Sequence, residues 1–305
     1  MKTSLQKCVA CWFCVTLCVL HNVYSADVIS NGLEEIKNYK IVCDALKVKD
    51  TSGKWPEDVL PLSQMLANNS ASVRREIYLA IVEHVRAKRG TVQARRELVE
   101  VLAKSLQDPS PIVRNSVAKW LTTLKPVDFG PNAKISIEKA FSKKPTKRLI
   151  LLSGIVDIPA VNKKVEKLIF TPSAKVSVGR FYGTLEWAAE LVRARKGNRD
   201  SIKKVLKAVE EDNNIITKVT LLLPELKYVH QPEIIIYLKK YLDSNERLEP
   251  VKPTVPGMKY AQYAAVALAQ MLKGFPVIKE DLNYTEKELN TCRKWMSIQM
   301  KWTFK

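Results

Sequence analysis

Apolar residues recur at helical spacing through residues 98–121 and predict two short amphipathic helices. The first helix carries its apolar stripe on Leu98, Val101, Leu102 and Leu106. The Asp108-Pro109-Ser110-Pro111 turn ends it, because proline cannot continue a helix and disfavours helical backbone in the residue before it. The second helix begins behind Ser110, a good N-cap, with Pro111 in the first helical position. Its predicted buried face is Val113, Val117, Trp120, Leu121 and Leu124.

The same layout recurs along most of the chain. Six turns align on a basic position at intervals of 40, 34, 32, 38 and 41 residues, a spacing typical of helical solenoids. The basic positions are Arg74, Arg114, Arg148, Arg180, Lys218 and Lys259. Seven residues further on stand Ile81, Leu121, Ile155, Trp187, Glu225 and Val266. Five of these six are apolar, so this column is predicted to face the stack. Glu225, which follows Pro224, indicates a bent or out-of-register fifth unit.

These turns resemble the HEAT-repeat (armadillo-like) family, in which an acidic turn residue precedes an arginine by six positions. Asp108 with Arg114 matches that pattern fully, Asn68 with Arg74 matches it well, and Asp212 with Lys218 is a conservative variant. The resemblance implies an all-α, right-handed α-solenoid of about six stacked helix pairs with N- and C-terminal capping helices. It also implies that the basic positions form a structural ladder with turn carboxylates and carbonyls. We therefore expect a buried Arg114 bonded to a turn carboxylate, either Asp108 or one in a neighbouring unit.

The chain divides into a predicted signal peptide at 1–26, an N-terminal capping helix at 27–57, a HEAT-like solenoid at 58–273 and a C-terminal capping helix at 274–305. Lys2 and Lys7 precede an apolar run at 8–20, which is too short to span a bilayer. We expect cleavage near Ser25 or Ala26 and a secreted or periplasmic protein without a membrane span.

Six cysteines are present, but four of them lie inside the predicted signal peptide. Their C-x2-C-x2-C-x3-C spacing is that of an iron–sulfur motif, which a removed apolar helix cannot supply to the mature protein. Cys43 and Cys292 remain, and we expect them to be unpaired because they fall in opposite caps of an open solenoid. Asn68 and Asn283 stand in N-x-[ST] sequons, and whether they carry glycans is left open by the sequence.

Positive charge is concentrated in the middle of the chain. The whole sequence has a formal net charge of +19, and residues 131–205 alone hold 17 basic and 6 acidic residues. Such a concentration attracts acidic proteins or polyanions, although an ordinary solvated surface gives the same pattern. The candidate partner-binding patch is Arg86, Lys88, Arg89, Arg95, Arg96, Lys143, Lys144, Arg193, Arg195, Lys196, Arg199, Lys203 and Lys204.

The sequence offers no catalytic, cofactor or metal signature that we can assign. It lacks a G-x-S-x-G elbow, an H-E-x-x-H helix and a phosphate-binding glycine loop. We therefore predict a secreted basic scaffold that binds a macromolecule without catalysis, most readily a protein with an acidic surface. Two alternatives stay open: a nucleic-acid enzyme resembling the HEAT-like DNA glycosylases, and a purely structural component of a secreted assembly.

Overall fold

A computed structural model of the chain describes residues 37–67, 70–170, 182–249, 257–279, 281–299 and 301–304. Over these residues the protein is all-α, as the sequence predicts. Pairing of the β type is confined, in the described ranges, to two isolated antiparallel bridges, Arg247–Lys259 and Leu272–Phe304. The chain forms two compact units, Met1–Ile137 and Glu138–Lys305.

The helices of the first unit are α1 (37–52), α2 (Leu62–Ala67), α3 (Ala71–Arg86), α4 (Val92–Lys104) and α5 (Pro111–Leu121). Side-chain caps explain where two of them begin. Ser70 accepts a hydrogen bond from the backbone N–H of Val73 at the start of α3, and Thr91 does the same for Ala94 in α4. Helix α3 packs against α4 and α5, so the two second helices of neighbouring pairs lie in contact.

Helix α6 (Pro131–Lys143) crosses the boundary between the units. The second unit continues with α7 (Lys147–Ile155), α8 (Pro159–Glu166), α9 (Leu185–Arg195), α10 (Arg199–Glu210), the single turns α11 (Ile215–Thr217) and α12 (Leu223–Glu225), α13 (Pro232–Asp243), α14 (Tyr260–Met271) and α15 (Glu286–Ile298). Helix α9 packs against α7, α8 and α10, and α14 packs against α12, α13 and α15.

The predicted start of the second helix at the central turn is confirmed, since α5 begins at Pro111, but Ser110 makes no side-chain cap hydrogen bond. The first helix, α4, ends at Lys104, and Leu106 of its predicted stripe lies in a 3-10 turn, Ser105–Gln107. Ile81, Leu121 and Trp187 of the predicted column are fully buried, whereas Ile155 and Val266 are half-buried. The predicted irregularity of the fifth unit takes the form of a π-helical segment, Lys218–Leu222, ahead of Pro224. A proline lacks the N–H that a helix interior requires, and a π-helical turn is one way to accommodate it.

Some expectations lie outside the described residues. They include the signal peptide at 1–26, the sequon residue Asn68 and Arg180. Cys43 and Cys292 are both free thiols, as predicted, with Cys292 buried and Cys43 half-buried. In the part of the chain that is described, no helix combines the length and apolarity needed to cross a membrane.

Candidate macromolecule-binding surface

Arg74, the first residue of the predicted structural ladder, bonds to a carboxylate in the turn before α5. Arg74 in α3 donates from Nε to Asp108 Oδ2 and from Nη2 to Asp108 Oδ1, each at 2.8 Å. The Asp108 carboxylate also accepts a 2.8 Å hydrogen bond from the backbone N–H of Ser110. Burial raises the pKa of Asp108, but the Arg74 and Ser110 bonds outweigh it and hold that pKa below its usual value. The ionised Asp108 carboxylate therefore joins α3 to the turn before α5.

The expected carboxylate partner of Arg114 is wrong. Arg114 Nη1 donates instead to the backbone carbonyl oxygens of Asp108, at 2.5 Å, and Pro109, at 2.8 Å. The Asp108 carboxylate is already occupied by Arg74, so Arg114 supports the backbone of its own turn. Its side chain is also half-buried rather than deeply buried.

The later ladder positions behave in different ways. Lys218 Nζ donates to the Glu210 carbonyl oxygen at 2.8 Å, which again links a basic side chain to its own turn. Asp212 Oδ1 accepts from the N–H of Asn214, as Asp108 does from Ser110. Lys259 instead forms an ion pair with Glu286 at the start of α15. Arg148 is half-buried.

Three arginines of the predicted patch in the first unit are bonded within the fold. Arg95 donates to Asp128 Oδ1 at 2.8 Å, and both side chains are largely buried. Arg96 donates to the Val127 carbonyl oxygen at 3.0 Å. Arg86 donates to the Thr123 hydroxyl and pairs with Glu83 on its own helix. These guanidinium groups are bonded to the segment 123–128, which follows α5.

Two arginines of the second unit serve the same purpose. Arg193 in α9 donates to the carbonyl oxygens of Val165 and Leu168, at 2.9 and 2.8 Å, at the end of α8. Arg195 donates to the Tyr228 carbonyl oxygen at 3.0 Å, and burial lowers the pKa of its guanidinium. The planar fork of arginine suits such multiple carbonyl contacts.

Exposed basic side chains remain elsewhere in the predicted patch. Lys88, Arg89, Lys196 and Arg199 are exposed, as are the lysines at the end of α6 and on α10. We define the exposed lysine set as Lys143, Lys144, Lys203 and Lys204 of the predicted patch together with Lys163 and Lys164, which the predicted patch did not include. Lys163 and Lys164 lie on α8 and Lys203 and Lys204 on α10, two helices that both pack against α9. Among the described residues, no member of this set forms an ion pair with a carboxylate.

A buried ion pair that the sequence did not reveal lies in the second unit. Lys147 Nζ is 2.6 Å from Glu225 Oε2, with side-chain exposures of 15% and 10%. Lys147 also donates to the Tyr182 carbonyl oxygen, and its Nζ is 3.4 Å from the centroid of the Tyr182 ring. Burial lowers the pKa of Lys147 and raises that of Glu225, and each partner opposes the shift of the other. Glu225 at an otherwise apolar column position was the only signal in the sequence.

No family model, no curated protein and no solved structure matches this chain.

Proposed function

We propose that this protein is a secreted, basic, HEAT-like scaffold that binds a protein with an acidic surface and performs no catalysis. The observation that carries the proposal is the division of its basic residues into two classes. Arg86, Arg95, Arg193 and Arg195 are bonded to turns of the fold, whereas the exposed lysine set has no carboxylate partner among the described residues. The ammonium groups of the exposed lysine set are therefore available to bind a partner.

Lysine is suited to this outward role. Its ammonium is a compact, strongly hydrated charge on a flexible stem, so it attracts an acidic surface without demanding one fixed geometry. Clusters of one sign speed encounter with a complementary surface and make association sensitive to salt.

Helix order supports the solenoid part of the proposal. In chain order the described helices can be grouped as α2/α3, α4/α5, α6/α7, α8/α9, α10 with the helical segment 215–228, and α13/α14, which is the order that the proposed solenoid requires. Within the first unit α3 packs on α5, and within the second unit α7 packs on α9. Contact between second helices of successive pairs is what a HEAT-like stack requires. In this proposal α1 and α15 are the capping helices and the stack is right-handed.

The buried Lys147–Glu225 pair receives no catalytic role in the proposal. The ammonium and the carboxylate lie 2.6 Å apart as an ion pair, and the Tyr182 ring lies against the ammonium. This pair is an internal tie in the proposal, and recognition is assigned to the exposed lysine set.

The decisive experiment is crosslinking in the extracellular or periplasmic space, followed by kinetic measurements with the captured partner. We expect the double variant Lys203→Gln/Lys204→Gln to bind with a slower association rate and a weaker dependence on salt. Lys287→Gln/Lys294→Gln on α15 is the matched control, because it removes two exposed lysines from a helix outside the set. Equal effects of both double variants would show that net charge alone matters and would contradict the assigned surface.

Duplex DNA tests the alternative enzyme hypothesis. Affinity that falls steeply with salt, together with release of a base, would overturn the non-catalytic proposal. Neither effect is expected. Recovery of the protein only as a fixed part of a larger secreted assembly would favour the structural alternative instead.

A further inference from the structure

The loop before α15 presents a tripeptide that the proposed function does not use. Asn283, Tyr284 and Thr285 form an N-x-T sequon, and Asn283 is exposed. Tyr284 is 5% exposed, and its hydroxyl donates to the Val277 carbonyl oxygen at 3.2 Å. The middle residue thus anchors the loop in the core while the asparagine projects outward. A sugar on Asn283 would extend into solvent without displacing a packed side chain.

The Asn283 amide keeps its local bond when it is modified. Its Nδ2 donates to Asp281 Oδ2 at 3.0 Å and carries two hydrogens. Substitution of one hydrogen leaves the other free to make the Asp281 bond. The backbone N–H of Asn283 also donates to Asp281 Oδ1, at 3.2 Å, so the loop geometry does not depend on the unmodified amide.

Thr285 is occupied in the folded protein. It is the N-cap of α15, where its Oγ1 accepts from the N–H of Glu288 at 3.3 Å and donates to Glu288 Oε2 at 2.9 Å. Lys279 holds the same carboxylate at 2.8 Å. The third residue of the sequon must supply a hydroxyl, and here that hydroxyl is locked into a capping box. The Thr285 hydroxyl is therefore free to be recognised by a glycosylating enzyme before α15 forms, and it is occupied afterwards.

We propose that Asn283 carries an N-linked glycan, added before the α15 cap closes, an inference that rests on the proposed secretion. The donor is a polyisoprenyl-diphosphate oligosaccharide of a secretory membrane. Asn283 Nδ2 forms a bond to the anomeric carbon of the first sugar as the bond from that carbon to the diphosphate oxygen breaks. The amide loses one proton, and the lipid diphosphate leaves.

Cell-free synthesis with microsomes tests the proposal on the full chain. All proteins carry Asn68→Gln, so that Asn283 stands in the remaining sequon under test. Each is made once with its own N-terminus and once with a heterologous signal peptide. Protection from added protease reports import, and a gel shift removed by an endoglycosidase reports the glycan.

We expect one gel shift in the parent protein, which carries only Asn68→Gln, and one in the variant with Thr285→Ser added. Serine keeps both the hydroxyl of the sequon and the helix cap. Asn283→Gln and Thr285→Asp are expected to lose the shift entirely. Thr285→Asp is the matched control for folding, because aspartate is a good N-cap but does not complete the sequon. The Asn68→Gln protein can also be folded first without glycan and then mixed with the oligosaccharide transferase solubilised from the microsomes by detergent. We expect this folded protein to stay unmodified.

The outcomes separate this inference from the proposed secretion. Import and glycosylation with the heterologous signal, without import by the native N-terminus, would sustain the glycan site and overturn the secretion proposal. Import without a shift in the parent would overturn the glycan site. Efficient modification of the folded protein would overturn the requirement that the glycan be added before the cap closes.

Discussion

Arg74 and Asp108 lie 34 positions apart in the sequence, and two 2.8 Å hydrogen bonds join the guanidinium of one to the carboxylate of the other. The pair links α3 to the turn that opens α5. Because the two residues are remote in sequence, the contact holds α3 against the turn before α5 and does more than close a single turn.

Removal of the Asp108 carboxylate should weaken the first unit. We expect Asp108→Ala to lower the free energy of unfolding by about 3 kcal/mol, because Arg74 and the Ser110 N–H lose a buried partner. Urea denaturation monitored by circular dichroism measures the change. Lys104→Ala is the control, since its ion pair with Glu100 is exposed and contributes at most about 0.5 kcal/mol. A loss of similar size in both variants would contradict the proposed tie.

The direction of the Asp108 pKa shift determines how the Arg74–Asp108 pair contributes to stability at different pH. The folded-state pKa of Asp108 is held below its ordinary value of 3.8, so the pair stabilises the fold above pH 3.8. That stability is lost as pH falls through the lowered pKa. We therefore expect the difference in unfolding free energy between the wild type and Asp108→Asn to shrink as pH falls below about 4. A difference that stays constant into stronger acid would mean that the Asp108 charge is unimportant.

The Lys147–Glu225 pair should show strong coupling. We expect Lys147→Met and Glu225→Met each to lower the unfolding free energy by about 3 kcal/mol, because each leaves one buried charge alone. The double variant should lie close to the wild type, since an apolar pair removes both desolvation costs. A double-mutant cycle from urea denaturation measures this coupling. Additive losses would show that the two side chains act independently.

Gly154 should not tolerate alanine, although alanine is the better helix former. A Cβ atom at Gly154 in α7 would lie 2.9 Å from Val192 Cγ2 in α9, closer than packed carbon atoms approach. We expect Gly154→Ala to lower the unfolding free energy by about 1–3 kcal/mol. In a protein that already carries Val192→Ala, we expect Gly154→Ala to lower the unfolding free energy by less than it does when Val192 is present. Gly183→Ala is the control, because a Cβ atom there would meet no atom of the described residues within 4 Å apart from its own chain neighbours.

His230 should make the second unit sensitive to mild acid. Burial lowers its pKa from 6.5 to about 4, and the Arg195 charge adds to the effect. A lowered folded-state pKa means that its stabilising contribution is present above pH 6.5 and declines as pH falls from 6.5 towards 4. His230 stacks on Phe304 with ring centroids 5.4 Å apart, so His230→Phe keeps an aromatic ring without a titrating group. We expect a flatter pH dependence of unfolding in this variant, and an unchanged slope would contradict the assignment.

Local sequence pattern was sufficient to predict the helical class and many helix boundaries. The stripe before Asp108 and the proline behind Ser110 act over a few neighbouring residues, so their consequences can be read without a fold. The same reasoning found the buried Leu121 and Trp187, because a residue's face on a helix follows from its spacing.

Only tertiary structure decided which charged residues meet. The sequence suggested Asp108 as the partner of Arg114, but the carboxylate bonds to Arg74, and Arg114 bonds to carbonyl oxygens. Lys147 and Glu225 are 78 positions apart, and their pairing depends on how α7 and α12 are brought together within the second unit. Helical periodicity is a local property, whereas an ion pair depends on the distance between two side chains. That distance is fixed only when helices remote in sequence pack together.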